Sequence, residues 1–400
     1  MRDAAIVAAC RTAIGRSGGV FREVPADDLG AVVVAEAAKR AGITGDKFDD
    51  VIMGSCVVAG PCGNMARHIA LKAGFPDTVP AMTVDRRCAS GLQAVNLAVQ
   101  AIQTGNADVA MAGGTENMTR SPYILDKIAE PYKRGSLTMY DSFGGPKAQP
   151  VSMYGDLTMG LTAENVAERY NVSREDQDRF ALRSQQRACA AIAEGRFKDE
   201  IVPVEAPGVK KGEKVAIDTD EHPRPDTTLE KLARLQPAFK KGGTVTAGNS
   251  SGINDGAAAL VMMGADTAAS MGMKPLARVL GHAAVAVDPA IMGIGPSKAI
   301  PKALARAGLR KEDLGLIEIN EAFASMMVAC IRLLGLNEEI VNVNGGAIAM
   351  GHPIGCSGAR LLTTLLYEMR RRGVRYGVAS LCVGGGQGVA TVIENLAAGS

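Results

Sequence analysis

The chain has 400 residues, too many for one ordinary hydrophobic core, so two or three domains are expected. Hydrophobic residues make up 47%, aromatics only 4%, and there is no Trp, which favours close-packed helices and buried strands over an aromatic-rich β-sandwich. A formal net charge of +2 argues against a polyanion binder, though a few local lysines and arginines could still hold a small anionic ligand.

The opening MRDAAIVAACRTAIG reads as a first strand and not a signal peptide, because Arg11 and a small-residue turn follow the apolar run at once. Next come the helical pattern DDLGAVVVAEAAKRAG, a short strand over 50–54, a helix, and a strand over 81–84. A long apolar helix from Leu92 and the strand ADVAMAGG follow. Alternation of this kind predicts an α/β layered domain. Between about 120 and 247 the pattern changes. Two stretches rich in Gly, Pro and charge flank NVSREDQDRFALRSQQRACAAIAEGRF, with Ser173 as its N-cap. An ordered lid is expected there.

The last third repeats the first. PLARVLGHAAV, which includes His282, reads as a strand, SKAIPKALARAG as a helix, and LGLIEINEAFA as a strand running into a helix. The closest internal echo pairs CASGLQAVNLAVQAI…ADVAMAGG with GCSGARLLTTLLYEM…YGVASLCVGGG, which sets Ser90-Gly91 on Ser357-Gly358 and Cys88 opposite Gly355. The chain therefore divides into residues 1–119 with 248–272, an insertion over 120–247, and a second half over 273–400.

No segment approaches the roughly 20 apolar residues of a membrane span, so a soluble, cytoplasmic protein is expected, and the C-terminal LAAGS is no peroxisomal address. The eight cysteines are scattered without a C-x-x-C pair, and the four histidines are isolated, so zinc-type spacing is absent and no metal is expected. Free thiols in a reducing compartment fit this pattern.

Cys88 stands just before the apolar helix, whose Gln93, Asn96, Gln100 and Gln103 form one narrow polar stripe. Unpaired N–H groups and the positive end of the helix dipole favour thiolate there, and the same N–H groups suit an oxyanion. A buried structural thiol is the alternative. Among possible bases, His68 lies in a helix-like stretch and His222 in a polar loop. His352 sits in the glycine-rich turn NGGAIAMGHPIG, where a merely solvated histidine is the alternative. Cys382 follows a strand and precedes the cluster VGGGQG, while Asn320 ends a strand and could simply cap the next helix.

With CAS at 88–90, NEAF at 320–323, GHP at 351–353 and CVG at 382–384 in order, the sequence resembles the thiolase family over essentially its whole length. GGTENMTRSPY from Gly113 and GNSSGINDGAAA from Gly248 look like further landmarks of that family. The resemblance implies a duplicated αβαβα layered fold with an inserted lid domain. It makes Cys88 the acylated nucleophile, His352 the acceptor of its proton, and Cys382 the acid and base at C2 of the substrate. Asn320, through a water, and His352 would form one oxyanion hole, and the N–H groups of Cys88 and Gly384 the other. Coenzyme A is implied as a substrate, with no permanently bound cofactor. Ser251, Ala247 and Phe239 would meet its pantetheine, Arg224 its adenine end, and the lysines of VKKGEK and FKKGG are candidates for its phosphates. Met159 and Phe323 match positions near the acyl group.

The expected reaction interconverts 3-ketoacyl-CoA plus CoA with acetyl-CoA plus a shortened acyl-CoA. Thr158, where short-chain biosynthetic members commonly have His, and Gln387 in GGGQG lean the reading toward a degradative 3-ketoacyl-CoA thiolase. A biosynthetic acetoacetyl-CoA thiolase and a β-ketoadipyl-CoA thiolase are the alternatives within the class. A condensing ketoacyl synthase would need a second catalytic histidine in place of Cys382, and a non-enzymatic acyl-CoA carrier need not keep all four motifs. A homodimer or homotetramer is implied, with tetramer contacts in the loop over 121–143, and no nucleic acid or membrane partner. Asp85 and Arg87 depart from the common pattern around the nucleophile, and a salt bridge of Arg87 to Asp85 or to a neighbouring subunit is expected.

Overall fold

The computed structural model describes residues 2–57, 62–125, 136–144, 147–208, 210 and 212–397. Strand β1 (Ala4–Arg11) is buried along its whole length, as a run of small and branched apolar residues requires when both faces of a sheet are covered. It pairs antiparallel with β5 (Asn254–Gly264), which pairs antiparallel with β4 (Val109–Asn117). Beyond these, β2 (Asp50–Gly54) and β3 (Ala81–Val84) continue the sheet in parallel, giving the order β1-β5-β4-β2-β3.

The second half is built the same way. Strands β6 (Ala277–Ala286), β7 (Leu316–Ile319), β8 (Tyr376–Val383) and β9 (Gln387–Asn395) run in the order β6-β9-β8-β7. The β6/β9 and β9/β8 pairs are antiparallel, the β8/β7 pair is parallel, and a parallel bridge from Ile317 to Val341 marks the fifth position. Even the irregularity repeats. The register of β1 on β5 shifts between Ile6 and Ala8, and that of β6 on β9 between Val279 and Gly281. The halves join edge to edge where Ala5 faces Arg278 and Ile6 faces Ala277, so one ten-stranded sheet runs through the molecule, the tenth strand being the two-residue Gly15–Arg16 on β5.

Three apolar clusters set the layers. Helices α1 (Ala26–Ala41) and α2 (Met65–Lys72) cover the outer face of the first half. The central layer holds α3 (Ser90–Gln103) and α8 (Ile354–Arg372), between core faces of both halves. The lid helix α4 (Met159–Arg169), with α6 (Gly295–Ala307) and α7 (Ala324–Leu334), closes the outer face of the second half. A second insertion helix, α5 (Arg174–Ala193), starts at Ser173, whose hydroxyl accepts from Asp176 N–H as the sequence predicts. Among the described residues no helix is long and apolar enough to cross a membrane.

Several local expectations are corrected. His282 lies inside β6, within the stretch read as a strand, whereas Cys382, expected after its strand, lies inside β8 because that strand extends past its most apolar stretch. Asn320 does not cap a helix, since α7 begins only at Ala324. Within the polar stripe of α3, Asn96 is buried and accepts from Thr391 Oγ1 at 2.8 Å. Lys211 of VKKGEK and residues 126–135 of the loop over 121–143 lie outside the described residues.

Candidate active site

Residues 85–89 turn the chain from β3 into α3. Asp85 Oδ1 accepts from Arg87 N–H at 2.7 Å. Ser90 Oγ accepts from Arg86 N–H at 2.8 Å and donates to Arg87 C=O at 2.7 Å. These bonds hold Arg87 at φ 44°, a left-handed conformation unusual for a residue with a side chain. The expected Asp85–Arg87 contact thus runs through the backbone, and among the described residues the Arg87 guanidinium makes no ion pair.

The turn aims Cys88 at the β8–β9 junction, where the backbone N–H groups of Gly384 and of Cys88 itself favour its thiolate. Both donors pull the thiol down, but burial is the larger effect and pushes it up to about 11. The helix-start preference for thiolate is therefore outweighed by desolvation. Such a pair of N–H groups beside a sulfur is of the kind that can stabilise negative charge.

His352 comes from the opposite half. It is buried, not solvated, and burial lowers its imidazole to about 3 with the Arg360 charge adding to the effect, so it is neutral at ordinary pH. Its Nδ1 lies 2.6 Å from Ser357 Oγ, whose hydroxyl also bonds Pro353 C=O at 2.8 Å. Its backbone N–H donates to Asn254 Oδ1 at 3.0 Å. Asn320 Nδ2 sits 3.3 Å from His352 Nε2, while Asn320 Oδ1 is buried without a hydrogen-bond partner. Cys382 is fully buried, donates to Met326 Sδ at 3.2 Å, and is pushed well up by burial and by the nearby Cys88. No hydrogen bond joins Cys88 to His352.

A cavity of about 420 Å³ opens onto these groups. Cys88, His352, Gly384, Ser251, Phe239, Met159 and Phe323 all line it, whereas Asn320 and Cys382 stand behind its wall. Phe239 and Phe323 meet edge to face at 6.1 Å. Thr158 caps α4 by accepting from Leu161 N–H and faces the same cavity. Arg224 and Ala247 are exposed and do not line it. Lys147 does line it and pairs with Asp156 at 2.7 Å, a cation that the sequence reading did not single out.

Two other missed residues hold the site together. Buried Glu116 accepts from Cys56 N–H at 2.9 Å, from Val57 N–H at 3.2 Å and from Gly355 N–H at 3.0 Å, tying the first half to the start of α8. Arg86 Nη1 donates to Gln387 Oε1 at 3.0 Å, linking the nucleophile turn to the Cys382 loop. Their signal was present, since Glu116 lies in GGTENM and Gln387 in GGGQG, but a partner across the duplication cannot be read from either motif alone.

The model for the thiolase N-terminal domain matches residues 4–266, and that for the thiolase C-terminal domain matches residues 273–395. The chain belongs to the thiolase family. This thiolase is 50% identical over 401 residues to the acetyl-CoA acetyltransferase of Syntrophomonas wolfei, covering 99% of this chain and 100% of that protein. It is 48% identical to a probable acetyl-CoA acyltransferase of Staphylococcus aureus, over 98% of this chain and 99% of that one. Its fold superposes with a TM-score of 0.94 on the Bacillus anthracis acetyl-CoA acetyltransferase, at 46% identity and with 99% of each chain covered. The human mitochondrial 3-ketoacyl-CoA thiolase in complex with CoA also gives 0.94, at 42% identity over 98% of each chain. The thiolase is an acyltransferase enzyme with the layered α/β fold of its family.

Proposed function

We infer that this thiolase cleaves 3-ketoacyl-CoA with CoA, giving acetyl-CoA and an acyl-CoA two carbons shorter, through an acyl-Cys88 intermediate. The observation that carries the reading is the meeting, at one cavity, of the Cys88 sulfur under two N–H donors with neutral His352 beside Asn320. Cys88 Sγ attacks the C3 ketone while its proton passes to His352. The C2–C3 bond then breaks, and Cys382 gives its proton to C2 of the leaving enolate. Negative charge appears on oxygen in both steps, and two donor sets, Cys88 with Gly384 and His352 with Asn320, are at hand for it. The CoA thiol next attacks the acyl-Cys88 carbonyl and loses its proton to Cys382, and Cys88 leaves as a thiolate that takes back its proton from His352.

The division into residues 1–119 with 248–272, 120–247 and 273–400 belongs to this reading, supported by the repeated strand order. Ser251, Phe239, Met159 and Phe323 contact substrate, and Arg224 and Ala247 meet CoA only where it leaves the cavity for the surface. A homodimer or homotetramer is supported by the exposed Tyr123, Met139 and Met153 of the insertion.

Acyl groups longer than acetoacetyl are accepted on this reading, because Thr158 and the apolar Met118, Phe143, Leu157 and Met292 line the cavity. Acetoacetyl-CoA as the main substrate is the second reading, favoured by the acetyltransferase names of the Syntrophomonas wolfei and Bacillus anthracis relatives. A thiolysis series over acyl length separates them. Activity on six- to eight-carbon substrates at least equal to that on acetoacetyl-CoA supports the first, and activity confined to acetoacetyl-CoA supports the second. Intact-mass detection tests the intermediate itself: an acyl adduct that persists in Cys88→Ala overturns the assignment of the nucleophile.

A further inference from the structure

On the outer face of the first half, three side chains from separate elements converge. Asp27 stands in the first turn of α1, His68 projects from α2, and Cys62 lies just ahead of Asn64, which caps α2. Cys62 Sγ is 3.3 Å from His68 Nδ1 and 3.7 Å from Asp27 Oδ2, and His68 Nδ1 is 3.7 Å from the same oxygen.

A tetrahedral Zn²⁺ with ordinary bond lengths to S, N and O sets its donors about 3.3–3.6 Å apart along each edge. The three observed separations fall within a few tenths of an ångström of that face. A soft sulfur, an imidazole nitrogen and a carboxylate oxygen are a donor set for Zn²⁺ and not for Mg²⁺ or Ca²⁺, which take oxygen. The His68 side chain is 42% exposed, so a fourth position is open to water from outside. Lys72 Nζ now bonds Asp27 Oδ2 at 2.7 Å and Asp28 Oδ1 at 2.6 Å. It can release the first carboxylate to a cation and keep the second. None of these residues lines the cavity at Cys88.

We propose that Cys62, His68 and Asp27 form a three-ligand site for a thiophilic divalent cation such as Zn²⁺, clamping α1 to the start of α2. Binding takes the proton of the Cys62 thiol into solvent and leaves a thiolate on the metal. Local sequence spacing could not reveal the site, because Asp27 lies 35 residues before Cys62 and the histidine follows on a helix.

Co²⁺ titrated into full-length Cys88→Ala protein tests this, that substitution removing the cavity thiol as a rival ligand. The expected result is one equivalent bound, with the charge-transfer absorption of a cobalt–thiolate bond that Zn²⁺ then displaces. Adding Cys62→Ser abolishes the band, and adding His68→Gln weakens binding at least about tenfold. Cys62→Ser and His68→Gln made singly in the otherwise native chain keep its thiolysis rate, which shows that they fold. Absence of the band, or a band that survives Cys62→Ser, overturns the proposal.

Discussion

Asn320 and His352 behave as one unit at the residue scale. With Oδ1 buried and unpartnered and Nδ2 beside the imidazole, Asn320 is a polar group held in readiness for charge on the substrate. Asn320→Ala should cut kcat about 10²- to 10³-fold, the usual cost of one oxyanion donor. KM should change little, so steady-state kinetics separate this from a binding defect. The depressed imidazole of His352 has a thermodynamic consequence as well. The folded state leaves it neutral down to about 3, while the unfolded chain takes up its proton near 6.5. Between those values the unfolded state binds more protons, so acid removes stability, by up to about 1.4 kcal/mol per pH unit from this group. His352→Gln should flatten the pH dependence of the denaturant midpoint between pH 6.5 and 4. An unchanged slope would mean that the imidazole is not buried neutral.

At the scale of elements, the crossing of α3 and α8 sets the distance between Cys88 and His352. A Cβ on Gly91 would lie 2.8 Å from Gly355 O and 2.9 Å from Ala359 N, and one on Gly358 only 2.5 Å from Leu92 N. All three contacts are with backbone, which cannot swing aside as a side chain could. Gly91→Ala should therefore force the helices apart, costing about 1–3 kcal/mol. It should also lower the thiolysis rate, because Cys88 precedes one helix and His352 the other. Thermal unfolding and kinetics check this together, and a variant as stable and active as the parent would refute the close crossing. Much of this was legible. The Ser-Gly echo at 90–91 and 357–358 identified these two helices as counterparts, and their glycines are the contact points. What could not be read was how far desolvation goes. Periodicity gave α3 a narrow polar stripe but not that its Asn96 faces Thr391 of the other half, and dipole reasoning pointed Cys88 toward thiolate where burial pushes its thiol up. Burial depends on which distant elements close over a residue, and local patterns do not carry that.

On the scale of the whole molecule, the three parts are fastened by charge as well as by apolar packing. Arg11 of β1 is fully buried and binds Asp220 of the insertion in a two-pronged pair at 2.8 and 2.9 Å. Its Nε meets Glu200 at 2.5 Å, and Glu200 also accepts from Thr364 of α8 at 3.0 Å. One guanidinium thus spans the first half, the insertion and the second half. Sequence reading took Arg11 only as the residue ending an apolar run, since neither acid is near it along the chain. Even with Arg11 present, burial holds the Glu200 carboxyl above its ordinary value. Arg11→Met would keep most of the volume but leave two buried carboxylates without their cation, a loss of about 3–5 kcal/mol. The sign of its pH dependence follows. Without Arg11 the folded protein retains a proton on Glu200 that the unfolded chain releases above about 4, so stability falls as pH rises. Denaturant midpoints at pH 5 and pH 8 should therefore diverge further in Arg11→Met than in the parent, with the variant weaker at pH 8. Equal losses at the two pH values would show that Arg11 acts by packing on Phe197, whose ring it faces at 5.0 Å, and not by neutralising the acids.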